Sequence, residues 1–204
     1  MAVATFGESV KRTEDPRLIT GRGKYVDDVR LTGMAHLAFV RSTYGHANIK
    51  SIDTSAALNA PGVIAVFTGA DLQEELGGLP VGWMLPDLKQ PPHPPLAYET
   101  VRYLGDAVAV IVADSAYQAN DAVDLVEVDY EVLPAVVNGE EATKDGAPQL
   151  HEEAPNNIGF DWEVGGGDYA EAIKDPDVIV VKERIVNQRL IPNSMETRGV
   201  VADY

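Results

Sequence analysis

Residues 101–134 constrain the fold most, because their apolar and polar residues follow the order expected of a strand, a helix and a second strand. Ala107–Ala113 is an apolar run long enough for a strand buried on both faces and too short for an average helix. Ser115 can cap the following helix, with Gln118 three residues later to complete a capping box. Residues 126–132 then alternate apolar and acidic side chains, which predicts a strand with one solvent-exposed face. The segment contains no motif for catalysis, metal ligation or phosphate binding, so it is predicted to be scaffold.

A similar unit precedes this segment. Residues 34–41 and 49–53 flank a turn, and we predict that they form a first strand pair. Thr54 is predicted to cap a short helix that a Pro-Gly pair stops, and Val63–Thr68 follows as another buried strand. Two strand-helix-strand units favour a compact mixed α/β, or α+β, layer over a long doubly wound sheet.

The remaining stretches are less regular. Residues 69–100 are rich in proline, which cannot donate to a strand ladder, so we predict a surface loop. Residues 135–160 are rich in Gly, Pro and Asn and are predicted to be a second irregular segment that wraps the domain or links it to the next one. Asp168 should begin a short helix after three glycines, whereas residues 178–186 and 199–204 are strand-like. We therefore place a domain boundary near residue 160, with residues 161–204 starting a second, incomplete domain.

Composition excludes several classes of protein. The 204 residues include no cysteine, which excludes disulfides, thiolate catalysis and iron–sulfur ligation by this chain. A formal charge of −16 works against binding to nucleic acid or to anionic lipid. No run approaches the roughly 18 apolar residues of a membrane span. The first residues lack the apolar core of a secretory signal, so we expect a cytoplasmic protein.

Three patterns deserve testing as sites. Gly165, Gly166 and Gly167 precede a predicted helix but lack the lysine and the Ser/Thr of a P-loop, and Asp168 would repel a phosphate. The histidines are far apart in the sequence, which favours packing or turn roles over metal ligation; they are His36, His46, His93 and His151. Glu196 and Arg198 would face the same side of a strand, where they would pair with each other or address a buried anion. We assign no catalytic, cofactor-binding or metal-binding residue.

A series of spaced positions carries a resemblance to a known family. The series includes Arg12, Glu14, Asp15, Arg17, Leu18, Thr20, Gly21, Gly23, Tyr25, Asp27 and Asp28, then Val40, Arg41, Ser42, His46, Ala47, Pro61 and Gly62, and finally Val101, Arg102, Tyr103, Gly105, Ala109, Asp121, Tyr130, Glu131, Leu133 and Pro134. In this order the motifs resemble the beginning of the large subunit of the xanthine dehydrogenase and aldehyde oxidase family of molybdenum hydroxylases. The run Asn193-Ser194-Met195-Glu196 resembles the aerobic carbon monoxide dehydrogenase branch.

The resemblance implies an architecture and a role. Residues 1–160 would form an α/β hammerhead domain with an N-terminal arm and the proline-rich loop 69–100, and residues 161–204 would form the first strands of a molybdenum-cofactor-binding domain. The complete enzyme would hydroxylate an aldehyde or an N-heterocycle, or oxidise carbon monoxide. Its molybdopterin-type molybdenum cofactor would lie in the rest of the large subunit, with iron–sulfur clusters and FAD on partner subunits or domains of an oligomer.

No residue of this sequence matches the family's cofactor-binding loops or its catalytic glutamate. The chain by itself is therefore expected to be inactive and to serve as scaffold for the rest of the large subunit. Two alternatives remain open. One is a free-standing binding or assembly module with the hammerhead fold, and the other is a small-molecule-binding protein with the proline-rich loop as its lid.

Overall fold

The computed structural model describes Gly7 and residues 9–204, so most of the segment on which the secretory-signal expectation rests lies outside the described residues. The chain divides into two compact units. One is Gly33–Gly167, and the other joins the described residues up to Thr32 with Asp168–Tyr204. In chain order the helices and strands are α1 (Asp15–Ile19), β1 (His36–Arg41), β2 (Ala47–Asp53), α2 (Ser55–Leu58), β3 (Val63–Thr68), α3 (Gly69–Leu72), β4 (Thr100–Val101), β5 (Ala107–Ala113), α4 (Ala116–Val123), β6 (Glu127–Val132), α5 (Gly139–Ala142) and α6 (Tyr169–Ala172).

The first sheet of the larger unit is built around β5. Its strand order is β1-β5-β3, and both neighbours run antiparallel to β5. Every β5 residue except the half-buried Val112 is buried, which confirms the prediction of a strand covered on both faces. Helix α4 packs on this sheet through the fully buried Ala119 and Ala122. Small side chains at these positions let the helix approach the sheet closely.

The second sheet has the order β4-β2-β6, again with antiparallel pairs. Along β6, Val128 and Tyr130 are half-buried, while the acidic residues between and beside them are exposed. This alternation confirms the predicted strand with one solvent-exposed face. Each strand-helix-strand unit joins the two sheets, because β2 and β6 lie in the second sheet whereas β3 and β5 lie in the first.

The predicted pairing of the first two strands is wrong. Strand β1 pairs with β5, and β2 pairs with β4 and β6. Ser42 accounts for the difference, because its backbone N–H donates to the Asp106 carbonyl and its carbonyl accepts from Gly105 N–H. These two hydrogen bonds extend the β1–β5 ladder into the turn, so the chain crosses to the other sheet and does not fold back on β1.

The helix starts test the capping predictions. Ser115 Oγ accepts a hydrogen bond of 3.3 Å from Gln118 N–H, which confirms the predicted cap of α4. Helix α2 ends at Leu58 and has Thr54 at its N-cap position, as predicted, but the Thr54 side chain makes no capping hydrogen bond. Instead Asp53 Oδ1 accepts a hydrogen bond of 2.9 Å from Ser55 N–H. Hydrogen bonds from the Ser55 side chain and backbone lower the pKa of Asp53.

The predicted irregular loop 69–100 is correct for residues 73–99, which contain no helix or strand, but its ends belong to α3 (Gly69–Leu72) and to β4 (Thr100–Val101). Residues 135–160 contain only α5 and a 3₁₀ turn, Pro155–Asn157. The loop is nevertheless anchored, since Leu96 and Ala97 are buried and Ala97 N–H donates to the Ala107 carbonyl at 2.7 Å. In the part of the chain that the structure describes, no helix combines the length and the apolar character needed to cross a bilayer.

The smaller unit contains α1, a 3₁₀ turn at Val26–Asp28, and α6. Asp168 Oδ1 accepts from Glu171 N–H at 3.0 Å, which confirms the predicted helix start. The predicted strands at residues 178–186 and 199–204 are wrong, because no strand lies within residues 161–204. A strand exists through its ladder with a neighbour, and apolar β-branched residues do not supply that neighbour. The assignment of residues 161–204 to a cofactor-binding domain remains a prediction.

Candidate functional site

The larger unit contains a cleft of about 230 Å³ where the proline-rich loop meets the turn between β4 and β5. One wall is apolar and consists of Pro91, Pro92, Pro94 and Ala97. The other wall is polar and consists of His93, Thr100, Arg102, Tyr103, Asp106 and His151. The cleft thus combines an apolar surface with a few convergent polar groups, which is the usual makeup of a ligand site.

The fold holds the polar wall through β4 and its turn. Val101 is fully buried and pairs with Ala47 of β2, so the next residue is presented from a fixed backbone. Asp106 is buried, and its Oδ2 accepts a hydrogen bond of 3.1 Å from Arg102 N–H. Gly105 closes the turn with a φ of +89°, a conformation that glycine adopts without strain.

Arg102 is the cation of the cleft. Its Nε donates to the Leu150 carbonyl at 2.8 Å, and its Nη1 donates to the Thr100 carbonyl at 3.4 Å. Among the described residues, no carboxylate forms an ion pair with this guanidinium. The side chain is half-buried and is held in place by neutral acceptors, so its positive charge is left without a bonded counter-charge.

His93 and Tyr103 form an aromatic edge of the cleft. Their rings meet edge to face, with centroids 5.9 Å apart and planes at 88°. The Tyr103 hydroxyl lies 3.4 Å from His93 Nε2. Partial burial, followed by the nearby Asp106 carboxylate, raises the pKa of Tyr103 above its ordinary value of 10.0.

His151 lies on the polar wall near Arg102. Partial burial is the largest cause that lowers the pKa of His151, and the positive charge of Arg102 is the next. Glu153 acts in the opposite direction, while His93 and His46 add to the lowering. The imidazole is therefore neutral near pH 7. Burial and the excess of positive charge act together to keep it so.

The structure brings together two of the four histidines. His93 and His151 share the cleft, although they are far apart in the sequence. His46 is buried and its Nδ1 donates to the Pro134 carbonyl at 2.8 Å, which confirms the predicted turn role. His36 lies on β1.

The sequence analysis did not single out Arg102, Tyr103 and Asp106 as site residues. A charged turn between two strands, next to a proline-rich loop, is a signal that could have identified them.

The other sequence patterns do not assemble into a site. Glu196 Oε1 accepts a hydrogen bond of 3.1 Å from Val26 N–H, and no ion pair joins Glu196 to Arg198 within the described residues. Asp168 occupies the start of α6, directly after the glycines. An open depression of about 610 Å³ lies along α6, but its charged lining is exposed and includes the Glu171–Lys174 ion pair, which is typical of a solvated helix face.

The described residues do not fit the molybdenum cofactor that the resemblance implies for the complete enzyme. They include no cluster of three or more His, Asp or Glu side chains suited to a metal ion. Every buried side-chain nitrogen or oxygen in this part of the chain has a hydrogen-bond partner, so no buried side-chain atom there is unsatisfied.

Comparison with known proteins identifies relatives of the whole chain. Residues 20–134 match the family model described as the a/b hammerhead domain of aldehyde oxidase and xanthine dehydrogenase. The nicotine 6-hydroxylase large subunit of Paenarthrobacter nicotinovorans is 40% identical over 98% of this chain, which spans 24% of that subunit. The carbon monoxide dehydrogenase large chain of Afipia carboxidovorans is 40% identical over 94% of this chain and 25% of the large chain.

A solved structure supports the fold. The aldehyde oxidoreductase from Desulfovibrio gigas superposes with a TM-score of 0.70 at 34% identity, over 82% of this chain and 19% of that chain. The fold is thus a mixed α/β hammerhead with two antiparallel sheets. The chain spans about a quarter of the length of the curated relatives that it matches.

Proposed function

The chain belongs to the aldehyde oxidase and xanthine dehydrogenase family, and from that premise we propose that it is the N-terminal, non-catalytic part of the large subunit of a molybdenum hydroxylase. The observation that carries the proposal is the family match over residues 20–134, together with relatives that are themselves large subunits or large chains. The whole enzyme would be an oxidoreductase that uses a metal-activated oxygen nucleophile.

In this proposal, the hammerhead is scaffold. Its two sheets are closed around small apolar residues, and the described residues supply no metal-ligand cluster. The molybdenum cofactor would be held by the remainder of the large subunit. Iron–sulfur clusters and FAD would reside on partner subunits or domains, which agrees with the lack of cysteine here. The assembly would be cytoplasmic and oligomeric, with no nucleic acid or membrane as partner.

The substrate class is an aldehyde, an N-heterocycle or carbon monoxide. The two relatives at 40% identity are named for nicotine and for carbon monoxide, so overall identity favours neither branch. The cleft of the hammerhead domain does not bear on this choice, because a reaction at molybdenum needs the cofactor-binding residues of the complete subunit.

Elemental analysis tests the proposal directly. The 204-residue chain would be purified from a host that synthesises the molybdenum cofactor, and its molybdenum content would be measured by mass spectrometry. We expect far less than one metal atom per chain. About one molybdenum per chain would contradict the proposal, because the chain would then bind the cofactor by itself.

Copurification separates this proposal from a free-standing assembly module. The chain would be tagged and coexpressed with the genes that neighbour its own. Recovery of a complex with iron–sulfur, FAD and molybdenum-binding polypeptides is expected of a large-subunit part. Recovery of the chain without them, in a host where those neighbours are expressed and folded, would favour the free-standing module.

A further inference from the structure

We propose that the cleft beside Arg102 binds a small monoanionic carboxylate with a flat, apolar body. The inference rests on the arrangement of charge, shape and apolar surface within the Gly33–Gly167 unit and not on the proposed function. It assigns a ligand to residues that neither catalysis nor the packing of the sheets explains.

The charge of Arg102 favours an anion. Two of its five N–H donors are bonded to the Leu150 and Thr100 carbonyls, which leaves donors of a rigid, planar group for a ligand. A carboxylate matches this geometry with two parallel hydrogen bonds. In a chain with 32 acidic residues, a half-buried arginine without an ion pair among the described residues is a candidate for an external counter-charge.

A second charged group on the same polar wall limits the charge of that ligand. Asp106 lines the same cleft, and its carboxylate is buried and held by Arg102 N–H. This fixed negative charge would repel a phosphate dianion more strongly than a monoanion. The cleft has a volume of about 230 Å³, which is below the roughly 300–1,000 Å³ of sites for drug-sized ligands, so the acid must be small.

The remaining wall favours an apolar body. Pro91, Pro92, Pro94 and Ala97 offer no side-chain hydrogen-bonding group, and the Tyr103 and His93 rings add flat surface. An apolar body that fills this space removes apolar area from water, whereas a compact hydrated anion gains nothing there. An aromatic carboxylate is therefore complementary to both walls, with its carboxylate at Arg102 and its ring against the prolines.

His151 should report binding through its protonation. The charged and titratable groups that act on it are Arg102, Glu153, His93 and His46. A carboxylate bound at Arg102 would offset the guanidinium charge and so favour the charged imidazolium. Binding should therefore raise the pKa of His151, and lower pH should strengthen the binding by the same linkage.

The experiment is an NMR titration of the isotopically labelled 204-residue chain. Sodium benzoate is the probe, benzyl alcohol is its neutral counterpart, and inorganic phosphate, a compact anion without an apolar body, is the anionic control. We expect benzoate to shift the imidazole signals of His93 and His151 with a Kd on the order of 1 mM. We expect Arg102→Gln to weaken that binding about tenfold, through loss of the charge-assisted hydrogen bonds. Lys50→Gln, which removes an exposed cation elsewhere, should leave it unchanged.

Several outcomes would overturn the proposal. They are equal affinity for benzyl alcohol or for phosphate, absence of a saturable shift, and unchanged binding in the arginine variant. Arg102→Gln also removes the hydrogen bond to the Leu150 carbonyl, so a second measurement that needs no variant accompanies it. The second measurement uses the unmodified chain, where the pKa of His151 is determined with and without benzoate. A rise supports the proposal, and an unchanged value refutes it.

Discussion

His46 Nδ1 donates a hydrogen bond of 2.8 Å to the carbonyl of Pro134, 88 positions later in the chain. Since a carbonyl only accepts, Nδ1 carries the proton. The bond joins the residue before β2 to the second residue after β6, and the His46 carbonyl accepts from Leu133 N–H beside it. The imidazole is buried, so this contact is part of the core of the second sheet.

Replacement of His46 by alanine should therefore lower the free energy of unfolding by about 2 kcal/mol, because a buried hydrogen bond and its packing are lost. Urea unfolding followed by circular dichroism measures the change. His36→Ala, which removes the same side chain from an edge strand, is the control and should cost less. Equal losses in the two variants would show that the Pro134 contact contributes nothing of its own.

Ser115→Ala should destabilise the larger unit by about 1 kcal/mol, because the N-cap of α4 is lost. The matched control is Thr54→Ala at the start of α2, where the side chain makes no cap. We expect little change in that variant. Thermal unfolding of both proteins measures the difference, and a larger effect at Thr54 would contradict the assignment of the caps.

Gly69→Ala should be strongly destabilising. An added Cβ would lie 2.7 Å from the carbonyl carbon of Ala97 and closer still to its oxygen, so backbone must move. Overpacking of this kind costs about 1–3 kcal/mol. Gly77→Ala, where an added Cβ meets nothing within 4 Å, controls for the loss of glycine. Equal unfolding midpoints for the two variants would refute the close approach of α3 to the loop.

Asp71 should make stability depend on acid pH. Hydrogen bonds from the Thr68 backbone N–H and hydroxyl, each 2.7 Å, lower the pKa of Asp71 from an ordinary value of 3.8. A lowered folded-state pKa gives stability that is present above the ordinary value and is lost as pH falls through the folded value. Asp71→Asn should reduce the loss of stability on acidification below about pH 4, as measured by urea midpoints.

Thr68→Val provides a graded control for this effect. The variant removes the hydroxyl donor and keeps the backbone N–H donor, so its acid dependence should lie between those of the unmodified chain and Asp71→Asn. An acid dependence that is identical in all three proteins would place its origin in other carboxyl groups.

Residues 178–191 should promote self-association of the isolated chain. Ile179, Ile185 and Ile191 are each more than 80% exposed, and further apolar residues lie between them. Light scattering coupled to size-exclusion chromatography should give a mass that rises with concentration. An Ile179→Lys, Ile185→Lys double variant should reduce the association. Tyr117→Lys, at an equally exposed site on α4, should not. A monomer at all concentrations would contradict the prediction.

Local sequence determined the elements whose causes are local. The apolar run of β5, the Ser115 cap of α4 and the alternation of β6 follow from burial and hydrogen bonding within a few residues, and each is present as predicted. The strands expected at residues 178–186 and 199–204 are absent from the described structure because a ladder needs a partner, which local composition does not provide.

Tertiary structure decided which strands pair and which side chains meet. The hydrogen bonds of Ser42 direct the chain from one sheet to the other, although the turn between β1 and β2 suggests a hairpin. The same crossing places β4 beside β2 and so positions Arg102. His93 of the proline-rich loop and His151 line the same cleft as Arg102. These contacts join residues far apart in the chain, so the spacing of the residues in the sequence did not predict that they would meet. Only the folded structure brings the Arg102 guanidinium and the proline-lined wall into one cleft.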